Sequence, residues 1–510
     1  MFNKPSKQIQ ERIEGLRAHL SKENPLLVEV IGSFQELDKV AYRLGLLSQD
    51  ESFATRIAWW PLISILGTFS AGKSTFINQF VGMRLQETGN QAVDDKFTVI
   101  CYSEDQEVRV LPGLALDADP RFPFYQISEE IEKVSAGEGG RVDTYLQLKT
   151  CPCEQMRGRI MIDSPGFDAD KQRDSTLRIT DYIIDLSDLV LVFFDARHPE
   201  PGAMRDTLEH LVSGTLRRND AIKMLFILNQ IDTTAKEDNM EDVVAAWQRA
   251  LAQAGLGSGR FSAIYNEEAA VPIDNENLRQ RYQSKKNADL GEIYDRISQM
   301  GVERSYRIIG SLENTANQIE YQAVPALSEA LRSWFRKVLT FDALILVPLL
   351  GALLGLTIYA GYWDGLSFAP SGLEGSGVWG LGIVGVVLIA LLVAAVHYWV
   401  RKKVAQHIAR RLDKRGLVGD LAAAFLKNTS WNHTIFHRKP VGWGRFARKH
   451  VVHARQAADH FVQELNDRFT NPSGGTAPAS VSTLPGQEGP SAEEQEQAPM
   501  PRTGTGSSGA

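Results

Sequence analysis

The stretch LISILGTFSAGKST, residues 62–75, constrains this chain more than any other. An apolar run too greasy to expose either face is followed by a turn with two glycines, then by FINQFVG, which has the composition of a short helix. The glycines of G-x-x-x-x-G-K-[ST] let consecutive backbone N–H groups close on phosphate oxygens, and the helix N-terminus adds its positive dipole end. Gly67, Thr68, Phe69, Ser70, Ala71, Gly72, Lys73, Ser74 and Thr75 are the expected phosphate cradle. Lys73 is expected to reach the β- and γ-phosphates, and Ser74 to bind Mg²⁺.

A strand that feeds such a loop belongs in a parallel sheet. LISIL, FTVICY, RIMID, LVLVFFD, MLFILN and FSAIY are short apolar runs separated by longer helical stretches. That alternation predicts an α/β domain with a mostly parallel sheet covered on both faces. Residues 91–141 are less regular and read as a loop plus an insertion. Two further motifs fall at strand ends. In RIMIDSPGFDADKQR, Asp163 closes a strand where it can hold Mg²⁺ through water, and Gly166 offers its N–H to a γ-phosphate. In MLFILNQID, Asn229 and Asp232 stand where N-K-x-D places its base-reading pair, and the Asp would accept from the guanine edge. Gln230 replaces the usual Lys. SAIYN, 262–266, is a candidate for the last base-contacting loop.

Length and charge frame the rest. A chain of 510 residues exceeds one ordinary domain. Its net charge of −7 conceals a basic block at 401–470, so the whole-chain value carries little information about partners. Cys101, Cys151 and Cys153 are too few and too odd in number for a disulfide framework, which points to a reducing compartment. The CPC pair reads as buried thiols or as half of a metal site. The polar start, MFNKPSKQIQERIEGL, lacks the apolar core of a signal peptide.

Two apolar segments, about 343–362 and 376–400, are each long enough to cross a bilayer as a helix. Between them, Asp364 to Gly375 holds no Lys or Arg, while Arg332, Arg336, Lys337, Arg401, Lys402 and Lys403 flank them outside. Positive charge stays on the cytoplasmic side, so a hairpin with both termini cytoplasmic is expected, in the inner or plasma membrane of a bacterial cell. The resulting plan is a helical segment at 1–55, which packs on its own domain or serves as a stalk, and the α/β domain at 56–275. A helical segment at 276–338, the hairpin at 339–400, a basic helical segment at 401–470 and a disordered tail at 471–510 complete it. The basic block is either a solvated face or a site for anionic headgroups; nucleic acid is not expected.

GTFSAGKSTFI, DSPG and NQID, in this order and spacing, resemble the dynamin superfamily, and DSPGFDADKQR with LVLVFFDARH is especially similar to its EHD branch, whose members bind ATP. The resemblance covers roughly residues 61–266. It implies a P-loop domain flanked by an α-helical stalk, hydrolysis of GTP, or alternatively ATP, with Mg²⁺, and nucleotide-dependent homo-oligomers that remodel or tether membranes. A membrane-bound switch that recruits partners without mechanical work is the alternative. It also implies that Ser70 helps place a monovalent cation, so that Ser70, Lys73, Asp163 and Gly166 form the catalytic set. One departure stands out. The family's switch Thr aligns with Val93 and Asp94, leaving Thr88 or Thr98 as substitutes.

Overall fold

The computed structural model describes residues 5–470 apart from 69, 89–95, 120, 121, 123, 125, 126, 135–138, 167–173, 198–222, 254, 257, 258, 369–375, 413–417, 437 and 438. The tail at 471–510 and the switch positions Val93 and Asp94 therefore lie outside the described residues. Packing separates residues 1–462 from a second unit beginning at Gln463, of which the description covers the end of the last helix, Arg445–Phe469.

All six apolar runs form strands of one sheet. In chain order its strands are β1 (Leu62–Gly67), β2 (Phe97–Tyr102), β3 (Arg109–Pro112), β4 (Leu146–Cys151), β5 (Ile160–Asp163), β6 (Leu189–Asp195), β7 (Met224–Asn229) and β8 (Arg260–Ile264). Their spatial order is β3-β4-β2-β5-β1-β6-β7-β8. Pairing is parallel throughout except between β2 and β5 and between β3 and β4. Strands β3 and β4 were not anticipated: they fall in and just after the stretch read as irregular.

Burial on both faces explains the uninterrupted apolar runs. In β6 every residue is buried; Leu189, Leu191 and Phe193 join one core while Val190, Val192 and Phe194 join another. The first core is roofed by helix α3 (Lys73–Val81) through Phe76, Ile77 and Phe80, and by Ile293, Ile297 and Met300 of helix Glu276–Gln318. The second lies under helix Met240–Gln253, through Trp247 and Leu251.

Helices α1 (Lys7–Glu23) and α2 (Pro25–Leu44) precede the sheet. Ser6 caps α1 by accepting from Ile9 N–H, and Pro25 opens α2, where its missing N–H is harmless. Helix α2 buries Phe34 edge-on against Trp59, and Asn24 at its start donates to Ser305 of helix Glu276–Gln318. The N-terminal helices thus meet both the domain's entry segment and a distant helix. That distant helix is anchored to the sheet by Asp188. Its buried carboxylate accepts from Leu62 N–H at the head of β1 and pairs with Arg304 and Arg307.

Helix Glu276–Gln318 continues through a π turn, Ile319–Ala323, into Val324–Tyr359, one rod of 84 residues. The π turn falls just before Pro325, which has no N–H to donate and whose ring would crowd the preceding carbonyls. Arg455 of the last helix pairs with Glu320 at this turn. The rod's far end and helix Ser376–Ala409 pack side by side, joined through a two-stranded turn in which Trp363–Asp364 pairs with Ser367–Phe368. None of the most apolar 18-residue window of the rod is buried. Helix Ser376–Ala409 carries the expected second apolar segment onward into the basic stretch.

Candidate functional site

Strand β1 runs through the middle of the sheet and delivers the glycine loop to its upper edge. A Cβ on Gly67 would lie 2.6 Å from the carbonyl oxygen of Phe193, so the strand can end there only as glycine. Gly72 adopts φ 84°, and a side chain on it would overlap the Asn229 amide. Ser70, at φ 60°, is held left-handed without that excuse. What holds it is the end of β7. Gln230 Nε2 donates to Ser70 O at 2.7 Å, and Asn229 Nδ2 donates to Ala71 O at 2.9 Å. Gln230 is itself left-handed, at φ 65°. The residues read as base selectors therefore also staple the phosphate loop.

Lys73 opens α3 and is buried, its Nζ donating to Gly67 O at 3.0 Å and Thr68 O at 3.2 Å. Desolvation lowers its pKa, with the Asp163 charge opposing. Asp163 ends β5 beside β1 and accepts from Gln86 Nε2 at 2.5 Å. A cleft of about 1260 Å³ opens between these groups. Residues 70–75 and 163–166 line it, and so do Asn229, Gln230 and Asp232. All of the proposed site residues among those described, apart from Gly67 and Thr68, thus face one cavity; the carbonyls of those two accept from Lys73. Phe69 lies outside the described residues.

At the far end of the cleft Asp232 accepts from Val271 N–H at 2.8 Å, and burial raises its pKa despite that bond. Asn266 lines the cleft here, whereas Ser262 is buried within β8, so only the end of the SAIYN segment reaches the cavity. Of the two substitutes for the switch Thr, Thr88 lines the cleft. Thr98 is buried in β2, its Oγ1 accepting from Gln147 at 2.7 Å, and belongs to the sheet. The CPC thiols are likewise structural in their contacts: both are buried, and Cys153 donates to Val81 O at the end of α3.

Several cleft residues escaped sequence reasoning. Lys286 comes from helix Glu276–Gln318, pairs with Glu267 at 2.6 Å and stands over the Tyr265 ring. Arg197 also lines the cleft, within reach of the Asp232 charge, while gripping Asp195 through Nε and Nη2. A lone Lys in a long charged helix carries no local signal, so Lys286 was not recoverable from its neighbours. The oxygen donors Ser74 and Asp163 fit Mg²⁺, a hard cation that takes a few protein oxygens and keeps positions for water and phosphate.

A central parallel strand, a glycine loop and a helix N-terminus facing a cleft define a P-loop nucleotide-binding domain. Residues 63–231, about a third of the chain, match the family model described as the dynamin family, so this domain is similar to the dynamin superfamily. EH domain-containing protein 1 of Homo sapiens is 25% identical over 187 residues, 34% of this chain and 31% of that protein. Its Arabidopsis thaliana namesake is 24% identical over 249 residues, covering 46% and 42%. The chain thus spans less than half the length of these relatives. A solved structure described as an oligomerised bacterial dynamin pair aligns over 87% of this chain and 75% of that one, at TM-score 0.34 and 13% identity, too loosely to bear on function.

Proposed function

We propose that this protein is a membrane-anchored dynamin-like GTPase that hydrolyses GTP with Mg²⁺ and couples the cycle to self-association and to membrane remodelling or tethering. The observation that carries this reading is the convergence of the glycine loop, Asp163–Gly166 and Asn229–Asp232 on one cleft, in a domain of dynamin type.

The geometry supports the following roles. Backbone N–H groups of 70–75 cradle the phosphates, and Lys73 exchanges its two loop carbonyls for phosphate oxygens of higher charge. Ser74 and Asp163 would hold Mg²⁺, which would supply positive charge against the β- and γ-phosphates. Gly166 N–H meets the γ-phosphate. Asp232 selects guanine over adenine, and because burial raises its pKa the selection should weaken on acidification earlier than an exposed Asp would give. A monovalent cation near Ser70 belongs to the same reading.

The membrane assignment is supported by exposed apolar side chains along both helices of the hairpin, among them Leu344, Val347, Leu356, Val386 and Leu391. An apolar surface of this extent needs a covering, and two adjacent helices of spanning length suit a bilayer. The absence of Lys and Arg between Asp364 and Gly375 supports cytoplasmic termini. Contact of the basic block at 401–470 with anionic lipid belongs to the same reading. The long rod then runs from the base end of the cleft, at Lys286, into the membrane.

The test is competition for a fluorescent GTP analogue on the detergent-purified protein, with Lys73→Ala as control. Stronger displacement by GTP than by ATP, lost in the Lys73 variant, is expected; stronger displacement by ATP would reverse the base assignment.

A further inference from the structure

A buried polar chain sits behind the metal-side carboxylate. Gln86 is 1% exposed, Asp163 4% and Lys149 9%. Gln86 Nε2 donates to Asp163 Oδ2 at 2.5 Å, and Lys149 Nζ donates to Gln86 Oε1 at 2.6 Å and, at 3.5 Å, to Leu85 O. The amide's orientation is dictated by chemistry. A lysine ammonium only donates and a carboxylate only accepts, so Oε1 must face Lys149 and Nε2 must face Asp163. The backbone of Gln86 is pinned as firmly. Asn78 of α3 accepts from Leu85 N–H and Gln86 N–H and donates to Gln86 O. Three elements, α3, β4 and β5, therefore meet at one glutamine, which directly precedes the segment leading to residues 89–95.

Burying a lysine beside a neutral amide is costly, and a stable core does not require it. Its effect is to polarise the amide, strengthening the donor that faces Asp163. That bond fixes the rotation of the carboxylate about its Cβ–Cγ axis.

We propose that Gln86, clamped by Lys149, is a positioning residue that sets the Asp163 carboxylate for Mg²⁺. This rests on the reading of Ser74 and Asp163 as the metal side of the cleft. Partners of this kind behind a metal carboxylate typically contribute about 10–100-fold in metal affinity.

The experiment compares wild type, Gln86→Leu, and the double variant Gln86→Leu/Lys149→Met, in which both polar partners become apolar. The single variant strands a buried ammonium and loses thermal stability; the double variant recovers it. A fluorescent GTP analogue is titrated in EDTA and then across a Mg²⁺ series. In EDTA the double variant binds as wild type does, but its Mg²⁺ midpoint for tightening is about tenfold higher. A wild-type midpoint in a folded double variant overturns the positioning role. Should the double variant fail to fold, Gln86→Met/Lys149→Met, which also lacks any donor facing Asp163, is judged by the same midpoint. A wild-type protein that binds the analogue with no gain from Mg²⁺ overturns the metal-site reading itself, and this inference with it.

Discussion

Replacing Gln230 with Ala tests how the phosphate loop is kept in shape. The amide of Gln230 is the side-chain group holding the Ser70 carbonyl, and Ser70 is a non-glycine residue at φ 60°. Losing the hydrogen bond costs about 1 kcal/mol. Left-handed backbone at a residue with a Cβ costs about 1–2 kcal/mol, of which the bond offsets a share. With about 1 kcal/mol of that strain released against the binding-competent loop, the total is about 2 kcal/mol, or about 30-fold weaker nucleotide binding. Ser70→Gly removes the strain at its source. In that background Gln230→Ala should cost only the hydrogen bond, about fivefold. Titration of a fluorescent GTP analogue on the four proteins of this cycle, with melting curves to confirm folding, gives both numbers. Equal losses in the two backgrounds, or no loss in either, would refute the stapling argument.

Three further outcomes follow from other parts of the molecule. Asp188→Asn removes the buried charge that pairs with Arg304 and Arg307, leaving buried Arg304 its bonds to Ala58 O, so the melting midpoint should fall by about 6–12 °C, corresponding to a loss of about 3 kcal/mol; an unchanged midpoint would dissolve the anchor between rod and sheet. Burial raises the Asp38 pKa from 3.8 to about 6 in the fold, so between those values the folded protein binds more protons than the unfolded chain. Stability should therefore fall as pH rises through that window, by about 3 kcal/mol in all, and Asp38→Asn should gain on wild type from pH 4 to pH 7; a pH-independent difference between the two contradicts this. Leu366, 99% exposed in the turn between the two apolar helices, should as Leu366→Cys react with an impermeant thiol reagent added outside intact cells, and labelling only after lysis would reverse the topology.

What the sequence made legible was whatever burial or special backbone geometry enforces locally. Strands buried on both faces announce themselves as apolar runs, and Gly67 and Gly72 announce a loop that no other residue permits. Strand β3 was hidden because all four of its residues are exposed, and β4 because Gln147, Lys149 and Thr150 break its apolar run. Those same polar residues carry tertiary information: Lys149 answers Gln86 and Gln147 answers Thr98, partners brought close only by the sheet. Thr98 looked available as a switch residue because its register opposite Asp163 is a product of the antiparallel β2–β5 pairing, which no local pattern discloses. The rod was legible as a helical segment at 276–338 and an apolar span after it but not as one continuous element, because the change from charged to apolar composition near 339 reads as a boundary although helix Val324–Tyr359 runs straight through it.

The central claim is that a nucleotide cleft and a membrane hairpin on one rod form a machine that works by self-association. An isolated domain of this kind turns over slowly when nothing fixes the attacking water, and anchoring in a membrane raises the local concentration at which two domains can meet. The direct measurement is GTP turnover per molecule against protein density, for the full-length protein in liposomes and for a version lacking residues 339–404. A steep rise is expected for the anchored protein and a nearly flat response, with nucleotide binding intact, for the soluble one. Turnover independent of density in the liposomes would contradict it.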